Sequence, residues 1–241
     1  MTSPLLGFLQ GLAQNNNKAW FDEHRDEYQA LRQEFIGLVG EILARVAVVD
    51  PAVEHLRPGD CIFRINRDVR FSKDKSPYKT QFSALFCPQG RNVNLPSYYF
   101  HIAANGEEDG ELLAGGGMYA PEPAHLAAVR RFIQAHPYRL DALLADPAFA
   151  AMGGIYGDSL KRPPAGVPAD APHMTTLLRK QYLSGETVPA SSVAPSDLAD
   201  WVVARFTTMV PFIQWLRDAL GPPASEFGTD SQAEKPPLDI F

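Results

Sequence analysis

A chain of 241 residues, 45% hydrophobic and 21% charged, has the size and mixture of a globular domain that buries its own core. Its formal charge of −6 disfavours general binding to nucleic acid or to an anionic membrane, partners held largely by excess Lys and Arg. The longest apolar runs, such as residues 38–49, are broken by Gly40, Glu41 or Arg45 and fall short of the roughly 18–20 residues of a membrane span. The opening MTSPLLGFLQ has no basic segment and no small-residue cleavage site, so a cytoplasmic location is expected. Cys61 and Cys87 lack CxxC spacing and sit in apolar runs, which predicts small buried hydrophobes rather than a disulfide or zinc framework.

Ser3 followed by Pro4 predicts the start of a short helix over residues 5–13, ended by Asn15, Asn16 and Asn17, the last of which can cap the next helix. In that second helix Trp20, His24, Tyr28, Leu31, Phe35, Leu38, Ile42 and Val46 keep three-and-four spacing and define a buried stripe. Asp50 and Pro51 stop it. Residues 61–65 alternate, with Cys61, Phe63 and Ile65 on one face and Ile62 and Arg64 on the other, which predicts a strand. Residues 81–87 and 97–103 alternate likewise. A fourth strand, residues 111–119, is interrupted by Gly115, Gly116 and Gly117, which predicts a bulge or a close backbone approach.

After Pro121 the helical spacing returns, with Leu126, Val129, Arg130 and Ile133 in one helix and residues 140–144 in another. Pro163, Pro164, Pro168 and Pro172 predict an extended connector, and residues 175–182 a short helix. Pro195 and Ser196 open a final helix with Leu198, Trp201, Val202, Phe206, Met209 and Ile213 on its apolar stripe. Together these elements predict an α+β fold: an antiparallel sheet of about four to six strands packed with the long N-terminal helix and C-terminal helices. One domain is expected over residues 5–218, followed by a flexible Pro-rich tail over residues 219–241.

The charge is unevenly placed. Residues 64–79 hold Arg64, Arg67, Arg70, Lys73, Lys75 and Lys79 against Asp68 and Asp74, a local +4 on a body of −10. The segment RINRDVRFSKDKSPYKT, residues 64–80, resembles the signature of domain-of-unknown-function family 2461, Arg-x-x-Arg-Asp-x-Arg-Phe-Ser-x-Asp-Lys-Ser-Pro-Tyr-Lys. Arg64, Arg67, Asp68, Arg70, Phe71, Ser72, Asp74, Lys75, Ser76, Pro77, Tyr78 and Lys79 fall on it. Asn16, Asn17, Trp20 and Phe21, the run 115–119, and Leu160, Lys161, Arg162 and Pro163 are also similar to that family. The Ala-Gly-Val-Pro-Ala stretch after Pro164 departs from the Lys-Gly-Tyr-like sequence expected there. The resemblance implies fold and extent, residues 5–218, and brings no activity, cofactor or substrate.

Guanidinium groups grip phosphate or carboxylate bidentately, and lysines add point charges. The functional reading is therefore a site for a small phosphate- or carboxylate-bearing ligand, held by Arg64, Arg67, Arg70, Lys75 and Lys79 with Asp68 and Tyr78 orienting them. Two alternatives stand beside it. The charges can pair internally, Arg67 with Asp68 and Lys73 or Lys75 with Asp74, to pin a loop; or the loop docks an acidic protein partner. Lys161 and Arg162 offer a second basic contact. Whether the chain is an enzyme is left open; if it is, Asp68 or Asp74 is the candidate base. No Gly-x-Ser-x-Gly elbow, His-Glu-x-x-His or P-loop occurs, so neither cofactor nor metal is expected unless residues such as His24, Glu27 and His101 converge in the fold.

Overall fold

The structure, a computed structural model, describes residues 2–70, 72–104 and 109–221. Helix α1, Thr2–Gln14, buries Leu5, Phe8, Leu9 and Leu12 along one side. Asn17 caps α2, Lys18–Glu23, its Oδ1 accepting from the Trp20 N–H at 3.1 Å. The expected long helix is thus in two pieces. At His24 the backbone leaves helical geometry (φ −105°, ψ 17°), and the imidazole turns back so that Nδ1 bonds Trp20 O at 2.8 Å while the ring stacks on the Trp20 indole at 3.8 Å. Helix α3, Arg25–Val49, then carries the predicted stripe, burying Tyr28, Leu31, Phe35, Leu38, Ile42 and Val46. It ends at Asp50, whose carboxylate accepts from the Ala52 N–H at 3.3 Å across Pro51.

A short helix α4, Pro58–Cys61, occupies the start of the run read as a strand over residues 61–65. Pro58 at its first turn favours the helix. Beyond it the chain is extended but forms only isolated bridges, Ile62 with Ala84 and Asn66 with Tyr78. It changes partner between those two, so no continuous ladder grows. The expected alternation is broken as well: Cys61, Ile62 and Ile65 all join the main core, Phe63 packs on the other face of the sheet, and Arg64 is exposed.

Strands β1, Gln81–Phe86, β2, Ser97–Ala103, and β3, Glu111–Met118, follow as expected. Helices α5, Pro123–Ala135, α6, Pro137–Leu144, and α7, Pro147–Ala151, each begin with a proline in the first turn. The Pro-rich connector folds into successive turns rather than an extended run, with Val167 N donating to Pro164 O and Ala171 N to Pro168 O, both at 3.1 Å. Helix α8, Met174–Leu177, is shorter than the expected 175–182 helix, because from Leu178 the chain bonds to residues 158–160 and then enters β4, Tyr182–Pro189. The last helix among the described residues is α9, Leu198–Leu220. The expected flexible tail falls almost wholly on residues 222–241, which lie outside the described residues.

The sheet is antiparallel in the order β1-β2-β3-β4. Pairing of β3 with β4 is unbroken from Glu111 with Pro189 to Met118 with Tyr182, so the triple glycine makes no bulge. It allows close approach instead. A Cβ on Gly115 would lie 2.9 Å from Ser184 O, and one on Gly117 (φ +129°) would collide with Tyr182 O. Helices α3 and α9 cover one face of the sheet: Phe35 packs on Phe82 and Phe100, and Phe206 on Phe86 and Tyr98. Asp50 joins the two helices, accepting from Tyr98 Oη and Arg217 Nη1, each at 2.8 Å. The opposite face carries a second buried group, Leu85, Tyr99 and Leu113, with Cys87, Val93 and Phe63 over it. Among the described residues no helix is long and apolar enough to cross a membrane.

Candidate functional site

The basic segment is an irregular hairpin beside the free edge of β1. Its stem is closed by Arg67 N–H to Pro77 O at 2.9 Å and Lys79 N–H to Ile65 O at 2.8 Å, with Phe63 N–H to Ser83 O at 3.0 Å tying it to the sheet. Tyr78 lies between those bonds, so its own N–H and C=O face away from the partner arm. Asn16 meets both. Its Oδ1 accepts from Tyr78 N–H at 3.0 Å, and its Nδ2 donates to Tyr78 O at 2.9 Å. The Tyr78 ring stacks on Phe21 at 4.1 Å and is 7% exposed, which makes it the anchor of the loop on α2.

The two aspartates are each taken by an arginine. Arg67, with only 12% of its side chain exposed, donates through Nη1 to Asp74 and more weakly to Ser76 O, and through Nη2 to Ser72 Oγ. Asp74 also accepts from the Ser76 hydroxyl at 2.7 Å and amide at 2.9 Å. Those Ser76 bonds first, and Arg67 next, hold its carboxyl well below the ordinary range. Arg70 folds onto Asp68, Nη2 to Oδ2 at 2.7 Å and Nε to Oδ1 at 3.0 Å, and this lowers Asp68 to about 2. The pairs are therefore Arg67 with Asp74 and Arg70 with Asp68, a different pairing from the one that sequence proximity suggests. Carboxylates this acidic are weak general bases near neutral pH.

The remaining cations point several ways. Lys75 Nζ donates to Val69 O at 2.9 Å, which closes the loop tip. Lys79 lies over the Phe63 ring at 5.2 Å, a cation–π placement. Arg64 and Lys73 are exposed. The structure thus separates the candidates: Arg67 and Tyr78 face inward and shape the loop, while Arg64, Arg70 and Lys75 lie at its surface. Phe71, part of the signature, lies outside the described residues.

Two further groups were not legible from spacing. Across β1, β2 and β3 a hydrogen-bonded chain runs from Gln81 Nε2 to Tyr99 Oη (3.2 Å), from Tyr99 Oη to His101 Nδ1 (3.3 Å), and from His101 Nε2 to Glu111 Oε1 (3.1 Å). An ionised Glu111 only accepts, so the bond to it is donated by His101 Nε2. His101 is fully buried and belongs to this chain, whereas His24 is stacked on Trp20. Among the described residues no three His, Cys, Asp or Glu side chains are grouped to hold a metal. The triple glycine does not lie beneath the basic loop. It borders a cavity of about 420 Å³, part of it open to solvent, whose walls include Tyr99, Tyr119, Tyr156 and Leu183 and none of residues 64–79.

These features define an α+β protein in which a helix-backed antiparallel sheet carries a pinned basic hairpin at one edge. The chain belongs to domain-of-unknown-function family 2461, conserved hypothetical proteins, whose family model matches residues 4–215. No curated protein and no solved structure matches it.

Proposed function

We propose that the loop of residues 64–79 recognises a small anionic group, a phosphate or a carboxylate. The observation that supports this best is the division of labour among its charges. Arg67 and Arg70 are paired with Asp74 and Asp68, and Asn16 pins the C-terminal arm, while Arg64, Lys73 and Lys75 stay exposed on that fixed backbone. A pre-ordered loop loses less conformational freedom on binding, and the acidic body around it keeps the attraction local. In this reading Arg64, Arg70, Lys75 and Lys79 supply charge, Asp68 orients Arg70, and Arg67 and Tyr78 hold the shape. We read residues 5–218 as one domain. We also place the protein in the cytoplasm, in keeping with two buried, unbridged cysteines, which suit a reducing compartment.

The exposure of the same cations favours a second reading, an acidic segment of a protein partner; nucleic acid is third, given the acidic body. A thermal-shift comparison of wild type and the Arg64→Ala/Lys75→Ala variant, against phosphorylated metabolites, organic acids and acidic peptides, tests the proposal. A ligand at one hundred times its Kd stabilises the fold by about 2.7 kcal/mol. A response in the wild type that the folded variant loses supports the loop site. An equal response in both moves the site elsewhere, and a response to acidic peptides alone selects the second reading.

A further inference from the structure

Two arginines at the other edge of the sheet direct their guanidinium groups to backbone. Arg130 of α5 donates through Nε to Leu177 O and through Nη2 to Arg179 O, both at 3.0 Å. Arg179 donates through Nη1 to Gly157 O at 2.6 Å and Ser159 Oγ at 3.2 Å, and through Nη2 to Ile155 O at 3.4 Å. These bonds join α5, α8, the 155–159 segment and the approach to β4. None of the acceptors is a carboxylate, so two partly buried positive charges stand together without an ion pair among the described residues. Desolvated charge is costly unless it is paired.

The same cluster holds buried donors that make no hydrogen bond: Arg179 Nε, the Tyr182 hydroxyl and the Trp215 indole N–H. Tyr182 is fully buried, and its hydroxyl lies near Arg130 and within the field of both guanidinium groups, without a well-formed bond to either. Burial pushes that hydroxyl up to about 12, with Arg130 pulling it partly back, so it keeps its proton at neutral pH. The Trp215 and Tyr182 rings are 6.4 Å apart. Arginine and tryptophan side chains only donate, and a tyrosine hydroxyl has one proton to give. The tyrosine oxygen can accept from one of the N–H groups, but nothing among these side chains accepts the Tyr182 proton or the N–H groups that remain.

We propose that Arg130, Arg179 and Tyr182 form a second anion site, one that takes a small inorganic oxyanion such as phosphate. Arg179 Nε and the Tyr182 O–H donate to its oxygens, and Arg130 presents Nη1, which neither of its carbonyl bonds uses. A water molecule would accept from one or two of these donors and leave both positive charges uncompensated; an oxyanion does both. Because Arg179 Nε and Tyr182 Oη are out of contact with solvent, the ligand is compact rather than a nucleotide. The site is separate from the 64–79 loop, which adjoins β1, since β4 lies three strands away in the sheet, about 14 Å at ordinary strand spacing.

The test is a titration of the full chain with inorganic phosphate at constant ionic strength, followed by calorimetry and by ³¹P line width. It compares wild type, Tyr182→Phe, Arg130→Lys and the Arg64→Ala/Lys75→Ala variant. The expected result is saturable binding that Tyr182→Phe weakens about tenfold, the effect of losing one hydrogen bond to a charged group. Arg130→Lys, which keeps charge but loses the fork, weakens it likewise, and the loop variant, which loses any phosphate bound by residues 64–79, keeps this one saturable site. Absence of saturable binding in the wild type overturns the proposal whatever the variants do. Unchanged affinity in both Tyr182→Phe and Arg130→Lys also overturns it, and loss in the loop variant alone assigns the phosphate to residues 64–79.

Discussion

Replacing Asn16 with alanine tests how the basic loop is held. The side chain makes two hydrogen bonds to the backbone of Tyr78, at 3.0 and 2.9 Å, a residue that is 7% exposed. Removing the carboxamide leaves one backbone donor and one acceptor there without partners, each costing about 1–1.5 kcal/mol, so Asn16→Ala should destabilise by about 2–3 kcal/mol. For a chain of this size that corresponds to a fall in Tm of about 5–10 °C. Urea unfolding is the primary assay, with an unchanged m-value expected because the surface exposed on unfolding is the same. Part of the loss can appear as local opening, so trypsin is the second assay: residues 64–79 contain six Arg and Lys sites, and cleavage there should accelerate. A variant within about 0.5 kcal/mol of wild type, with trypsin cleavage unchanged, would refute the claim that Asn16 pins the loop.

Gly117→Ala should cost about 3 kcal/mol or more, because φ +129° disfavours any side chain and the new methyl group meets the Tyr182 carbonyl, forcing β3 and β4 apart; a fall in Tm below about 3 °C contradicts this. Acid should release the loop late. Asp68 and Asp74 have folded values below their unfolded ones, so their stabilisation is complete above about pH 4 and is lost as pH falls, through about 2 for Asp68 and lower still for Asp74. Carboxyl ¹³C shifts measure this directly, and Arg70→Ala should return the Asp68 midpoint toward about 4. A wild-type Asp68 midpoint already near 4 would mean that the Arg70 pair is not formed in solution.

The amphipathic periods of α3 and α9, the alternation of β1 and β2, the Asn17 cap and the stop at Asp50 were all legible in the residues, because each depends on spacing within one element. The His24 break was less visible, since the apolar stripe runs through it and only the stacking of the imidazole on Trp20 distinguishes the two helices. Strand β4 was hidden for a related reason. Its sequence, YLSGETVP, alternates weakly and holds a glycine, and it is a strand because the edge of β3 offers unpaired backbone groups to it. The triple glycine was read as a bulge or a close approach; which of the two it is depends on Ser184 and Tyr182, some seventy residues away.

The charged motif shows the same boundary. Its composition and place in the chain were plain from residues 64–79, but the pairing was not, because a loop can fold Arg67 onto Asp74 seven positions on as readily as onto its neighbour Asp68. Asn16 supports Tyr78 from sixty-two positions away, and Arg130 reaches carbonyls forty-seven and forty-nine positions on. The sequence by itself determined elements such as α9, β1 and β2, the acidic body and its basic island, since composition and short-range periodicity follow directly from the order of residues. The partner of each buried or half-buried polar group was decided only in the tertiary structure, because hydrogen bonds and desolvation act on distances in space.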